Sequence, residues 1–187
     1  MNTIFTYDTE TTGIPDWKIP SDSPEQPHIV QLAGILANAE TGEEIQSMNV
    51  IIKPDGWVIP DDVAAIHGIT TEYALEHGIS EVNAVSMLLS ITGEAERNAY
   101  NKTFDQRIIR IALKRYEEFT EEQMEKWAIK DNHHCSMRIA QKELGGKNPK
   151  LVDAYKAICG KDLVNAHSAM ADTLAAQEIY FKLKSGE

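Results

Sequence analysis

The sequence predicts an α/β fold, a mixed β-sheet flanked by α-helices, and three observations carry that prediction. Three stretches rich in β-branched and other apolar residues, 2–8, 28–38 and 44–53, come first. Segments with helical periodicity follow, and a short run, 97–101, sits between two of them as a buried strand would. The C-terminal part is helical in pattern throughout, so strands and helices alternate mid-chain. The chain has 187 residues and no second apolar block set off by a linker, so residues 1–187 are expected to form a single domain.

In chain order, "IFTYD" ends the first strand, and "HIVQLAGILAN" and "EIQSMNVIIKP" give the second and third. The turn-forming "AETGE" joins the last two, which suggests an antiparallel meander. "DDVAAIHGI", "SEVNAVSMLLSITG" and "TFDQRIIRIALKRYEEF" read as helices. Thr103 and Gln106 have capping-box spacing at the start of the third of these. The acidic run 117–125 reads as a solvated face. "SMRIAQKELG", "KLVDAYKAICG" and "MADTLAAQEIYFKLK" complete the helical part. No internal repeat or low-complexity segment occurs.

A net charge of −11 argues against a protein that grips long nucleic acid by its phosphates, although it is compatible with one that holds a strand end. Residues 97–116 run against the trend, with Arg97, Lys102, Arg107, Arg110, Lys114 and Arg115 set against Asp105 alone. Arg107, Arg110 and Lys114 fall roughly opposite Asp105 around a helix and are expected to be a solvated face. With two cysteines, no apolar run long enough to cross a bilayer, and a candidate site that opens at residue 8, the chain is expected to be cytoplasmic and reduced.

The chemistry-bearing residues form three constellations. In "DTETTG", Asp8 and Glu10 are two apart on a strand and share a face, where two carboxylates repel unless a cation lies between them. Alone, that spacing is more often a polar strand-to-loop turn. In "NKTFD", Asp105 heads the apolar stripe of its helix; a carboxylate favouring the helix dipole is the plainer account. In "HSAMAD", Asp172 heads the last helix and His167 stands five residues earlier, in the turn before it. "NHHCS" at 132–136 lacks a second ligand pair at zinc spacing. Of the three tryptophans, Trp17 lies in a proline-containing segment, 14–27, that is expected to be mobile, to cover the strand end and to offer a stacking surface.

Taken together, these motifs resemble the DEDDh 3′–5′ exonuclease family, which includes proofreading subunits, single-strand exonucleases and oligoribonucleases. "DTETTG" is similar to its first motif, "NKTFD" to its second and "HSAMAD" to its third, H-x-A-x-x-D; "IHGIT" at 66–70 is similar to another recurrent element. Tyr100, Ser168 and Gln31 depart from the usual residues.

The resemblance implies a ribonuclease H-like fold and a two-cation mechanism with Mg²⁺ or Mn²⁺ rather than zinc. Asp8 would bridge both ions, Glu10 and Asp172 would complete the first, Asp105 would hold the second, and His167 would act as general base. It further implies substrate contacts at Thr9, Thr11, His67, Asn101 and Phe104. The implied partner is the 3′ end of a single strand. DNA is favoured because "DTETTG" looks more like the DNA-directed branches; an exoribonuclease is the runner-up, and a non-catalytic replication-complex module comes last. A polymerase or repair partner stays open.

Overall fold

The computed structural model describes residues 2–184. Its order is β1 (Thr3–Thr11), β2 (Ile29–Asn38), β3 (Glu44–Ile51), α1 (Asp61–His67), α2 (Thr71–His77), α3 (Glu81–Thr92) and β4 (Glu96–Ala99). Then come α4 (Lys102–Arg115), α5 (Glu121–Ala128), β5 (His133–Cys135), α6 (Ser136–Leu144), α7 (Leu151–Cys159) and α8 (Ala169–Lys184). The five strands form one mixed sheet in the order β3-β2-β1-β4-β5. β1, β2 and β3 are the expected antiparallel meander, while β4 and β5 run parallel to β1 and to each other respectively.

β1 is central and has two different faces because successive side chains alternate. Phe5 and Tyr7 join a core with Ala84, Val85 and Leu88 of α3 and Ile108, Ile109 and Ala112 of α4. Ile4, on the other face, packs with Tyr180 of α8, and α6 and α7 close over α8 through Ala140, Ala154 and Ile179. On that second face Thr6 is buried and accepts from Asn98 Nδ2 at 3.4 Å. Asn98 Oδ1 in turn accepts from Ser136 Oγ, which also reaches the Ala176 carbonyl. This polar seam ties β1, β4, α6 and α8 together, and each buried group in it has a partner, as burial requires.

Several expectations are corrected. β1 runs to Thr11, three residues beyond its expected end, because Asp8, Thr9 and Glu10 pair with Ala33, Leu32 and Gln31 of β2. The Thr103–Gln106 capping box does not form: α4 starts at Lys102 behind Asn101, which makes no side-chain cap, and Gln106 is buried with its amide donating to the Trp127 carbonyl. The capping box belongs to Thr120 and Gln123 and opens α5 inside the acidic run read as a solvated face. α4 also stops at Arg115, since Tyr116 turns extended and its hydroxyl donates to Glu81. The helix expected over 61–69 ends at His67, where Gly68 takes φ 77°, and a separate α2 follows. β5 carries no strand-length apolar pattern of its own and was not expected.

Segment 14–27 is a fastened loop. Gln26, 2% exposed, bonds the backbone of Asp16, Ile19 and Pro20. Arg107 is half-buried rather than solvated and donates to the Ile19 carbonyl at 2.8 Å.

Gly34 of β2 lies directly under the Phe5 ring, so a Cβ there would come within 2.1 Å of the ring. Gly34→Ala is expected to destabilise the fold by about 1–3 kcal/mol through overpacking. Phe5→Leu should recover part of that loss, a coupling that denaturant unfolding of the single and double variants would measure.

Candidate active site

The extended β1 carries the site. Asp8 and Glu10 project from its α8 face beyond buried Thr6, and both remain partly exposed at the end of the sheet. Asp105 arrives from α4, whose start is set by the β4 crossover beside β1. Its Oδ1 accepts from the Thr9 backbone N–H at 3.2 Å and the Thr9 hydroxyl at 2.8 Å. Asp172 arrives from the first turn of α8. That helix start is fixed by Gln31, whose Oε1 accepts from the Ala169 N–H at 3.0 Å while its amide donates to Asn49.

His167 lies in the turn before α8, as expected. The turn closes with Ser168 N–H donating to the Asn165 carbonyl at 3.1 Å. Both Asn165 and His167 have left-handed backbones, with φ 58° and 68°, uncommon for residues with a Cβ and most tolerated by Asn, Asp and His. The geometry leaves the imidazole exposed on the lip of the site, with ligand atoms of Glu10, His167 and Asp172 all within 4.8 Å of one another.

A cleft of about 170 Å³ is lined by Asp8, Thr9, Glu10, Asn101, Phe104, Asp105, His167 and Asp172, together with Tyr100 and Leu151. All four acids and the histidine singled out in the sequence therefore meet. Asn101 and Phe104 flank them. Thr9 faces the cleft with its hydroxyl committed to Asp105, and the buried Thr11 hydroxyl donates to the Gly13 carbonyl. His67 is half-buried, with Nδ1 accepting from Ile69 N–H and Nε2 lacking a partner among the described residues. Burial, and secondarily the neighbouring His167, lower its pKa.

Leu151, Tyr100 and Gln31 carry parts of the site that the motifs did not single out. The Tyr100 hydroxyl anchors the Pro149 carbonyl just before α7, which brings Leu151 to the cleft. For Gln31 the available signal was an amide inside an otherwise apolar strand.

Electrostatically, the cluster is under pressure. Burial is the largest cause raising each carboxyl, and repulsion from neighbouring acids adds to it for Asp8, Glu10 and Asp105. Asp8 is driven well up by burial and then by Asp105, Asp172 and Glu10. Glu10 is raised to about 8, with Asp172 and Asp105 its repelling neighbours. Asp105 is raised to about 7, restrained by its Thr9 hydrogen bonds. Asp172 is raised less, because the His167 backbone N–H and imidazole oppose its burial. Its Oδ1 is buried without a partner. A group of hard oxygen donors that repel when ionised, one of them unsatisfied, fits divalent cations such as Mg²⁺ or Mn²⁺.

The sequence matches the RNase T family, described as Exonuclease, over residues 5–180. The chain belongs to this exonuclease family. Its fold is ribonuclease H-like and is shared with exonuclease I structures. The zinc-bound form of the E. coli exonuclease I–ssDNA complex superposes with a TM-score of 0.77 at 22% identity, over 99% of this chain and 41% of that one. E. coli exonuclease I with a dA16 oligonucleotide gives 0.76 at 22% identity, over 99% and 41%. Exonuclease I from the moderate thermophile Methylocaldum szegediense gives 0.73 at 19%, over 99% and 41%. The family member described here thus spans about two-fifths of the exonuclease I chains it matches. No curated protein sequence matches it significantly. Among its described residues, no helix is long and apolar enough to cross a membrane.

The raised carboxyls make the metal-free protein pH-sensitive. A carboxyl whose pKa is raised on folding holds its proton more tightly in the folded chain. Its contribution is complete below the ordinary value, 4.5 for Glu10, and is lost as pH climbs through the folded value of about 8. In chelator, the melting temperature is expected to fall as pH rises across that window. Glu10→Gln should flatten the fall and raise the melting temperature at its alkaline end, and added Mg²⁺ or Mn²⁺ should restore wild-type stability most strongly there. Scanning calorimetry at stepped pH, with and without cation, measures all three.

Proposed function

We propose that the chain is a divalent-metal-dependent 3′–5′ exonuclease that hydrolyses single-stranded DNA from its 3′ end and releases nucleoside 5′-monophosphates, residues 1–187 acting as one exonuclease domain. The observation that carries this reading is the convergence of Asp8, Glu10, Asp105, Asp172 and His167 around one cleft. Residues far apart in sequence and each costly to bury are gathered there, an arrangement with no structural benefit unless something cationic is held.

In this reading Asp8, Glu10, Asp105 and Asp172 hold two cations, Mg²⁺ or Mn²⁺. Bound there, the cations would neutralise the carboxylates and stabilise charge on the attacking and leaving oxygens of an in-line displacement. Thr9 fixes the Asp105 carboxylate through two hydrogen bonds, and Gln31 fixes the α8 start that presents Asp172. His167, exposed on the lip and held by a constrained turn, takes the proton from the attacking water at an imidazole nitrogen. Asn101 and Phe104, at the start of α4 beside Asp105, also line the cleft, where the terminal sugar and base would lie. Single-stranded DNA is preferred as the substrate on the likeness of "DTETTG" to DNA-directed branches. The dT13 and dA16 complexes of exonuclease I, which share the fold, agree with that substrate class.

The direct test is product analysis on 5′-labelled single-stranded DNA, duplex DNA and RNA of one sequence, with Mg²⁺, Mn²⁺ or chelator. A ladder of single-nucleotide steps from the 3′ end, strongest on single-stranded DNA and abolished by chelator, is expected. Cuts in a closed circle or release from the 5′ end would overturn the site assignment, and a strong preference for RNA would reassign the substrate.

Two substitutions separate the roles. Asp8→Asn or Asp172→Asn should abolish hydrolysis while the fold persists, since each removes repulsion from the metal-free cluster. His167→Ala should lower turnover by about 10²- to 10⁴-fold, the usual contribution of a general base. Cation affinity, followed by thermal shift against Mn²⁺ concentration, should stay within a few-fold of wild type in that variant.

A further inference from the structure

One charged patch lies outside the acidic cleft and is not used by the proposed chemistry. Arg107 and Arg110 of α4 are one helical turn apart, both half-buried, and neither makes an ion pair with an acid among the described residues. Their Nε atoms are buried and unpartnered. Arg107 spends one nitrogen on the Ile19 and Asp16 carbonyls, and Arg110 makes no hydrogen bond among the described residues. Asp16 of the loop turns its carboxylate to the Lys18 backbone N–H at 2.8 Å. Burial, and secondarily the neighbouring Arg107, press on the Arg110 charge. In a chain of net charge −11, two adjacent guanidiniums left without counter-charges need explaining.

Trp17 sits beside them. Its ring lies under the Arg107 guanidinium, 5.5 Å to the centroid, yet it remains 53% exposed. The other two tryptophans are spoken for: Trp57 stacks on His28, and Trp127 is 2% exposed under Arg97. The loop that holds Trp17 is rigidly built, closed at its base by Thr12 and His28 and knitted inside by Gln26. It therefore presents an indole face at a fixed place rather than burying it. The loop leaves β1 after Thr11, just past Glu10, and α4 carries Asp105 two residues before Arg107, so the patch shares the cleft's strand and helix while lying on the side of α4 away from Asp105.

We propose that Trp17, Arg107 and Arg110 form a second nucleotide subsite, which stacks a base of the DNA strand on the indole and pairs its phosphate with the guanidiniums, upstream of the bond being cut. This rests on the exonuclease reading and extends it: the acidic cleft handles the terminal nucleotide, and this patch supplies the cationic grip that the cleft lacks. Guanidiniums match phosphate geometry, and an exposed indole stacks on any base, so the subsite is indifferent to sequence.

The test uses the non-cleaving Asp8→Asn chain, titrated with dT12 and with dTMP while tryptophan emission is followed at several salt concentrations. Emission is expected to be quenched by dT12 and unaffected by dTMP, and the quench should vanish in Trp17→Phe. Trp17→Ala should weaken dT12 binding about tenfold, within the range seen for loss of one base–aromatic stack. Arg110→Gln should reduce the slope of log affinity against log salt by about 0.7, one phosphate contact on a single strand. Arg110 has no hydrogen bond to lose, so that variant leaves the loop fastened.

Unchanged dT12 affinity in Trp17→Ala, or an unchanged salt slope in Arg110→Gln, at wild-type melting temperature, would overturn the subsite and leave the patch a loop fastening. If that occurs while the wild-type chain still shortens DNA from its 3′ end, the exonuclease reading stands without it. A chain that neither binds dT12 nor cleaves DNA would overturn both.

Discussion

Four carboxylates sharing one small, half-desolvated space is the constraint that the rest of this structure serves. Like charges brought together and removed from water push each other apart and drive their own protonation. A cluster of this kind persists only if the surrounding scaffold is stiff enough to hold it. The stiffness is visible in β1, which is paired on both sides and covered on both faces, so the strand bearing Asp8 and Glu10 has no freedom to spread them. The other two acids are each fixed by a neutral side chain on that same strand pair. Thr9 of β1 holds Asp105, and Gln31 of β2 holds the helix start behind Asp172. Neutral groups suit this purpose, because a charged clamp would compete with the cations that the acids are arranged to receive.

The two ends of the sheet divide the work of stability and chemistry. Beneath the acids, the Thr6–Asn98–Ser136 seam and the aromatic contacts of Tyr7 with Trp127 and His133 fill the interior with satisfied or apolar groups. Burial and the nearby Arg97 lower the His133 pKa to about 2, so it is a neutral core group despite its chemistry. At the start of α3, Glu81 gathers bonds from His28, Ile29, Arg115 and Tyr116, while Arg115 also holds the Gln26 and Pro27 carbonyls. That hub anchors the end of the 12–28 loop to α3 and α4, which explains why an exposed, proline-containing segment keeps a defined shape.

Much of this was legible before the structure. The three strands and the alternation of elements could be read because each depends on local patterning, whereas the five convergent residues could be read only in combination, through the resemblance of three motifs to one family. What could not be read depends on partners distant in sequence. β1 is longer than its apolar run because Glu10 is paired with Gln31. The Thr103–Gln106 spacing was misleading because Gln106 is claimed by Trp127, whereas the working box, Thr120–Gln123, lay within charges that masked a helix. Arg107 looked solvated by its angle around α4, and the loop that covers it leaves β1 some ninety residues earlier.

The central position of β1 also governs when the site comes into being. The strand that carries the first two acids precedes its other partners in the chain, its neighbour β4 lying near the middle of the sequence and its covering helix α8 after that. Contacts of such separation close late, because the chain must first give up the freedom of the long loops between them. A ribosome-bound chain that stops before Asp172 holds three acids without the fourth and has no helix against the second face of β1. The cleft therefore completes itself only once α8 has been made and has docked on β1. Until then the three acids already in the chain face no complete cleft.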